Sequence, residues 1–445
     1  MCKKALSFAI PIVLVFSAVL WVQFAFGLTT SIDSRWCIHT AVSILKEGNA
    51  DLDEFSGVME PQDYRLEEVR GHVYSKYPIG SPLIAVPFVF VIDRVASRTM
   101  GLDLYAYLQQ VPPGHRANRI GRFVACVLVA STSALIFVLA RQFLDVGLAI
   151  LVTLVFAFCT STWSIASREL WTHTPSMLLL TATLCLAVFA LRVPRLIQFA
   201  GVLLGFSYVV RPTNALSVIL WALYVFVRYR RQFVGFVLWG LVVGIPFMLF
   251  NLSVYGALLS PYYRPTSGAP TPYAMMIRIG ESSSLLRSLA GTLISPSRGL
   301  LVFTPILLFS VWGVLLKMRR GQFGALERTL LAAIVMHVLL ISSFPMWWGG
   351  WVYGPRMLTD LLPYATYFLI AAVAYMRETV GILRLVVVSI FVCCTAFSFF
   401  VHFRGATSWD AVYWWNRTPA NVDLHPDRLW DWRDPQFLRG FRLGL

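Results

Sequence analysis

Charged side chains are what this chain has least of. Only 13% of its 445 residues are Asp, Glu, Lys or Arg, where a soluble domain carries about 25%. With 58% apolar residues and a mean hydropathy of +0.69, the chain would expose a large greasy surface in water. That excludes an ordinary soluble protein. Cysteine is sparse too, at seven, and Cys126, Cys159, Cys185, Cys393 and Cys394 lie in apolar runs, where Cys packs as a small hydrophobe. Their spacing matches neither a zinc site nor a disulfide framework. Tandem repeats and low-complexity linkers are missing. Acids are outnumbered, 22 against 37 Lys and Arg, which leaves a net charge of +15. The surplus does not form a nucleic-acid-binding stripe: Arg228, Arg230 and Arg231, and Lys317, Arg319 and Arg320, are short clusters between apolar runs, as in cytoplasmic loops of membrane proteins. No nucleic-acid partner is expected.

What is abundant is the long apolar run. A membrane span needs roughly 20 apolar residues, and such stretches fall near 7–27, 120–140, 146–160, 175–191, 196–210, 213–227, 233–251, 299–316, 329–343, 358–375 and 382–401. The pattern predicts an all-α, polytopic helical membrane protein with about 11 transmembrane helices. The first run follows Lys3 and Lys4 and continues to Gly27 without a small-residue cleavage site, so it reads as a retained span. The segment 81–97 is also apolar, but Asp93 and Arg94 interrupt it. If it does not cross, the short basic connections at Arg141, Arg192, Arg228–Arg231, Lys317–Arg320 and Arg377 all face the cytoplasm with Lys3 and Lys4. Arg116, Arg119 and Arg122 are then the exception. Residues 1–401 form one domain in this reading, with an outer loop over 28–119 and juxtamembrane helices, and 402–445 cap the outer face.

The unusual polar residues gather on that outer side. They comprise Asp33-Ser34-Arg35-Trp36, Lys76-Tyr77-Pro78, Glu169-Leu170-Trp171-Thr172-His173, Arg211-Pro212-Thr213, Ser295 to Gly299, and Trp348-Gly349-Gly350 through Tyr353-Gly354-Pro355-Arg356. Asp33 reads either as the N-cap of a helix over Trp36–Leu45 or as a functional carboxylate. The runs flanking Arg211 are each about 15 residues, roughly 22 Å of helix, so the turn sits below the membrane surface. Arg211 is there either a snorkelling side chain or a functional cation. Lys76 is an interfacial anchor or a headgroup contact. Trp348 stacks on a sugar or belongs to the aromatic belt. Glu169 and His173 share a ligand or a structural hydrogen bond. His337 reads as a satisfied core histidine.

In this order, the motifs resemble those of bacterial polyprenyl-phosphate-dependent glycosyltransferases of the GT-C fold, a group that includes aminoarabinose transferases and protein O-mannosyltransferases. The likeness spans nearly the whole chain, although each motif is short. Many members carry two adjacent acids at the start of the first loop, and here the second position is Ser34. The resemblance implies a multi-pass enzyme of a bacterial inner membrane that takes a sugar from a polyprenyl-phosphate donor on the outer face and gives it to an acceptor hydroxyl. That chemistry needs a base for a poorly nucleophilic hydroxyl and fixed cations for the departing phosphate. Asp33 is the candidate base, and a single displacement would invert the anomeric carbon. Arg35, Lys76, Arg211 and Arg356 are the candidates for the lipid phosphate. Tyr77, Glu169, His173, Trp348 and Tyr353 are those for sugar or acceptor. A divalent metal is left open, as are the sugar and the acceptor. A paired-carboxylate route would need a second acid, for which Glu54 and Glu169 stand. The competing class is a transporter or lipid flippase, which the short paired segments around Arg211 would also suit.

Overall fold

The computed structural model describes residues 2–30, 33–111, 114–258, 262 and 284–441. Residues 259–261 and 263–283, between the apolar runs 233–251 and 299–316, lie outside the described residues. The remainder is almost wholly helical, as a chain in lipid must be, since a helix satisfies its own backbone donors and acceptors. In chain order the helices are α1 (Cys2–Ala25), α2 (Cys37–Lys46), α3 (Gly80–Met100), α4 (Leu104–Gln110), α5 (His115–Ala140), α6 (Val146–Phe158), α7 (His173–Ala190), α8 (Ala200–Val210), α9 (Ala215–Arg228), α10 (Arg230–Tyr255), α11 (Leu285–Ile294), α12 (Leu300–Phe303), α13 (Leu308–Arg319), α14 (Ala325–Ser342), α15 (Leu362–Glu378) and α16 (Gly381–Thr407). One antiparallel hairpin, β1 (Leu66–Val69) and β2 (His72–Ser75), pairs Leu66 with Ser75 and Val69 with His72. Among the described residues, seven helices are long and apolar enough to cross a membrane. The protein is a multi-pass helical membrane protein.

Every apolar run read from the sequence falls on helix, with one interruption. The run 299–316 divides at Thr304–Pro305, because Pro305 has no amide proton to continue α12. The interruption is repaired from α16: Ser398 accepts from the Ile306 amide at 3.3 Å, and Thr304 Oγ1 lies 2.9 Å from His402 Nε2. Two glycines bring helix backbones together. A Cβ at Gly201 would stand 2.0 Å from the Phe236 carbonyl oxygen of α10, and one at Gly313 would stand 2.0 Å from that of Phe368 on α15. Small residues at crossings are how helices associate in lipid, where no hydrophobic force drives them.

The first loop builds a second core. Trp36, Ile38 and Val42 of the α2 region meet Phe55, Ala85, Val89, Leu104, Leu108 and Val124. The segment read as interrupted at Asp93 is instead one continuous helix, α3, which continues past Pro87 to a left-handed cap at Gly101. By length and hydropathy alone α3 could span. Its buried face, Ser81, Ala85, Val89 and Asp93, recurs every four residues and lies along α2. Near their starts, Cys37 of α2 and Ser81 of α3 line one cavity, and further on Lys46 pairs with Asp93 at 2.7 Å. The two helices therefore run side by side in the same direction. Leu83, Phe90, Val91 and Val95 form the exposed apolar side of α3.

At the other end, α16 continues through the expected boundary at 401 as far as Thr407. The chain then folds back in short turns, with Trp415, Val422 and Leu429 packed on Trp347 and Trp348. Arg298 fastens this tail. Fully buried, it donates to Gln436 Oε1 and Asn416 Oδ1, each at 2.7 Å, and to the carbonyls of Trp348 and Gly350, each at 3.2 Å.

Candidate active site

A cavity of about 380 Å³ opens where the first loop meets the turns before α7, between α8 and α9, and before α15. Its lining includes Asp33, Tyr77, His173, Arg211 and Arg356, together with the apolar Leu216, Leu340 and Phe344. Asp33 stands in the turn that leads into α2. It does not cap that helix, because the N-cap position is Trp36 and has no side-chain bond. Its carboxylate accepts instead from Arg356 Nη1 at 2.8 Å and from the Tyr77 hydroxyl at 3.0 Å. Burial, reinforced by the neighbouring Asp33, pushes the Tyr77 phenol well above its ordinary range, so it stays protonated and donates. The Asp33 side chain is 28% exposed, whereas that of Arg356 is 7% exposed.

Arg356 is set by the glycine-rich turn before it. Gly349, Gly350 and Gly354 all have positive φ, a conformation glycine adopts without strain, and the Gly349 carbonyl accepts from Arg356 Nη2 at 3.3 Å. The guanidinium lies over Trp171, 4.2 Å from the ring centroid. Its Nε is buried and has no acceptor among the described residues.

Arg211 does not snorkel. It ends α8 in an extended conformation, and Pro212 opens the next turn. Its side chain points inward, with Nη1 3.2 Å from both Thr172 Oγ1 and His173 Nε2 and Nε 2.7 Å from Asp360 Oδ2. A guanidinium can only donate, so His173 Nε2 accepts and Nδ1 holds the ring proton, facing Asp360 Oδ2 at 3.1 Å. Arg211 Nη2 is buried without a hydrogen-bond partner among the described residues. Asp360 thus holds both Arg211 and His173. The sequence reading passed over it as part of the apolar run 358–375, although an acid inside such a run is itself the signal.

The other expected residues do not reach the cavity. Arg35 turns away to pair with Glu60 at 2.7 Å. The Lys76 side chain has no partner among the described residues, and its amide bonds the Arg65 carbonyl. Glu169 is buried against Gly121, where a Cβ would stand 2.1 Å from its Oε1. Burial drives its carboxyl well above the usual carboxylate range, against the nearby Arg122 and Arg168, and it does not line the cavity. Trp348 donates to Asp423 at 2.8 Å in the tail. Tyr353 donates to the Val401 carbonyl at 2.6 Å and packs between Phe303 and α16. His337 Nε2 meets the Met357 carbonyl at 3.2 Å and is a satisfied core group. Among the described residues, no three His, Cys, Asp or Glu side chains converge on the cavity as a metal set.

This layout has counterparts among solved proteins. The ArnT structure from Cupriavidus metallidurans, bound to undecaprenyl phosphate, superposes with a TM-score of 0.54 at 12% identity over 87% of this chain and 64% of that one. The apo oligosaccharyltransferase of Archaeoglobus fulgidus gives 0.54 at 9% identity over 94% and 60%. The fold is GT-C. This GT-C chain spans less than two thirds of the length of either protein. No family model matches the sequence, and no curated protein does. The GT-C likeness therefore lives in the arrangement of helices and loops, and the residues of the cavity must speak for the chemistry.

Proposed function

We propose that this protein is a membrane glycosyltransferase that moves a sugar from a polyprenyl-phosphate carrier to an acceptor hydroxyl at the outer membrane face. The observation that carries the reading is the composition of the cavity. Two buried guanidiniums, Arg211 and Arg356, each keep an N–H without an acceptor among the described residues, and both residues line a cavity that Leu216, Leu340 and Phe344 also line. A phosphate on a greasy chain is a ligand that suits both kinds of lining. The C. metallidurans protein of like fold, solved with undecaprenyl phosphate bound, supports the same carrier class.

In this mechanism the two arginines take up the charge that grows on the departing phosphate. Asp33, the accessible carboxylate, accepts the proton of the acceptor hydroxyl as that oxygen attacks the anomeric carbon. The sugar–phosphate bond breaks as the new glycosidic bond forms, and the configuration inverts. Arg356 and Tyr77, both bonded to the Asp33 carboxylate, orient it. His173 and Asp360 hold Arg211 in place.

The test uses purified protein in lipid nanodiscs. Added undecaprenyl phosphate should raise the melting temperature of the wild type, and Arg211→Ala should abolish that rise. With polyprenyl-phosphate sugars as donors, Asp33→Asn should lose about 10²–10⁴-fold in carrier release while still responding to undecaprenyl phosphate. A wild type that ignores the carrier, or an Asp33→Asn protein with normal turnover, would sink the reading and return attention to transport.

A further inference from the structure

We infer that Ser81 and Thr213 complete the seat of the carrier phosphate, beside Arg211 and the N-terminus of α3. The inference rests on the carrier reading above and adds to it two uncharged groups that touch the phosphate. Both hydroxyls are buried without a hydrogen-bond partner among the described residues, and both residues line the cavity. Ser81 is 3% exposed and Arg211 is 5% exposed.

The packing of two elements brings these residues to one place. A Cβ at Gly80 would stand 2.6 Å from the Val210 backbone. The first turn of α3 therefore lies on the end of α8, one residue before Arg211. Thr213 follows in the turn that Pro212 opens. Ser81, Pro82, Arg211, Pro212 and Thr213 accordingly line the same cavity. Helix α3 runs for 21 residues, and its N-cap, Ile79, makes no side-chain bond. The start of such a helix is positively polarised and favours an anion.

Close packing accounts for part of this. It requires a glycine at 80, but it does not require a hydroxyl at 81. Four residues on, the same buried face of α3 carries Ala85, and an apolar side chain of that size would fill position 81 equally. A hydroxyl taken out of water without a partner is costly. Here two of them line one cavity with a guanidinium whose Nη2 is also unpaired among the described residues. A ligand with several acceptor oxygens satisfies all three, and a phosphate is such a ligand. Hydroxyl donors suit a departing phosphate in particular, since their bonds strengthen as its charge grows. A phosphate seated there also bridges α3, from the first loop, to the turn between α8 and α9.

The experiment follows the melting temperature of the full-length protein in nanodiscs against the mole fraction of undecaprenyl phosphate. Ser81→Ala, Thr213→Val and Thr213→Ser are compared with the wild type and with Arg211→Ala. A hydrogen bond to a charged group is worth about tenfold or more in affinity. Ser81→Ala and Thr213→Val should each need at least about ten times more carrier for the half-maximal rise. Thr213→Ser keeps the hydroxyl and should bind more tightly than Thr213→Val. Undecaprenol, the same chain without the phosphate, should not distinguish Ser81→Ala from the wild type. A wild type that ignores the carrier defeats the carrier reading and this inference with it. A response lost in Arg211→Ala but unchanged in Ser81→Ala and Thr213→Val overturns the inference and leaves that reading standing. Equal weakening toward undecaprenol also overturns it, because the two residues would then serve the chain. If Ser81→Ala fails to fold, the two Thr213 variants decide.

Discussion

Asp33 and Asp360 are the two carboxylates that touch the arginines of the cavity, and exposure separates their roles. Asp33 is 28% exposed at its side chain and shares Arg356 with no other acid; Asp360 is 1% exposed and lies within 3.1 Å of both His173 and Arg211. A proton acceptor must reach a substrate, so of these two Asp33 is the one the proposed mechanism uses, and in it Asp360 acts through Arg211. Asp360→Ala leaves a buried guanidinium without its counter-charge, a loss of about 3–5 kcal/mol. Thermal unfolding in detergent should show a lowered midpoint, and carrier binding should weaken with it. The signals for Asp33, Arg211 and Arg356 were legible because a charge at the edge of an apolar run is rare enough to be noticed. Residue type alone could not tell where a loop side chain turns. Arg35, Lys76, Trp348 and Tyr353 sit in the right motifs, yet three of them are claimed by Glu60, Asp423 and the Val401 carbonyl, partners the sequence does not connect to them.

At the scale of elements, periodicity and hydropathy located the helices, while their meetings had to come from the structure. The Gly313 crossing is one such meeting. In Gly313→Ala the new methyl would have to displace the Phe368 carbonyl, so α13 and α15 must separate. We expect a loss of about 1–3 kcal/mol, read as a lower melting temperature in detergent. The tail is another. It looked like a cap in the sequence, but Arg298 as its fastener was not legible, since its acceptors come from the loop at 348–350 and from Asn416 and Gln436. Arg298→Ala should free the tail. Limited proteolysis should then cut beyond Thr407, where the wild type resists, and Arg356 should lose its fixed place because Gly349 belongs to the same loop.

Over the whole molecule the open choice in the sequence was the course of 81–97. The Lys46–Asp93 pair, with Cys37 and Ser81 at one cavity, runs α3 beside the short α2, as in a helix lying along the membrane surface with Leu83, Phe90 and Val95 toward lipid. In a cysteine-free background, single cysteines at Gly48 and Gly101 should therefore react with an impermeant maleimide from the same side. Labelling from opposite sides would put α3 across the bilayer and reverse the orientation of every later loop. The positive-inside pattern favours the first outcome, with Arg116, Arg119 and Arg122 as its exceptions. Arg122 is engaged with the carbonyls of Gln23 and Phe24 at the end of α1, which explains its tolerance on the outer side.

The bond between Arg356 and Asp33 joins positions 323 residues apart. During synthesis, the acidic residue emerges among the first and waits while nearly the entire chain is threaded into the bilayer. Until the glycine-rich turn arrives, Arg356 does not stand opposite that carboxylate, and the carrier phosphate of the proposed function would have half its seat. A stalled or truncated product would thus lack the complete site that the proposed function requires. Assembly order alone would keep unfinished copies silent.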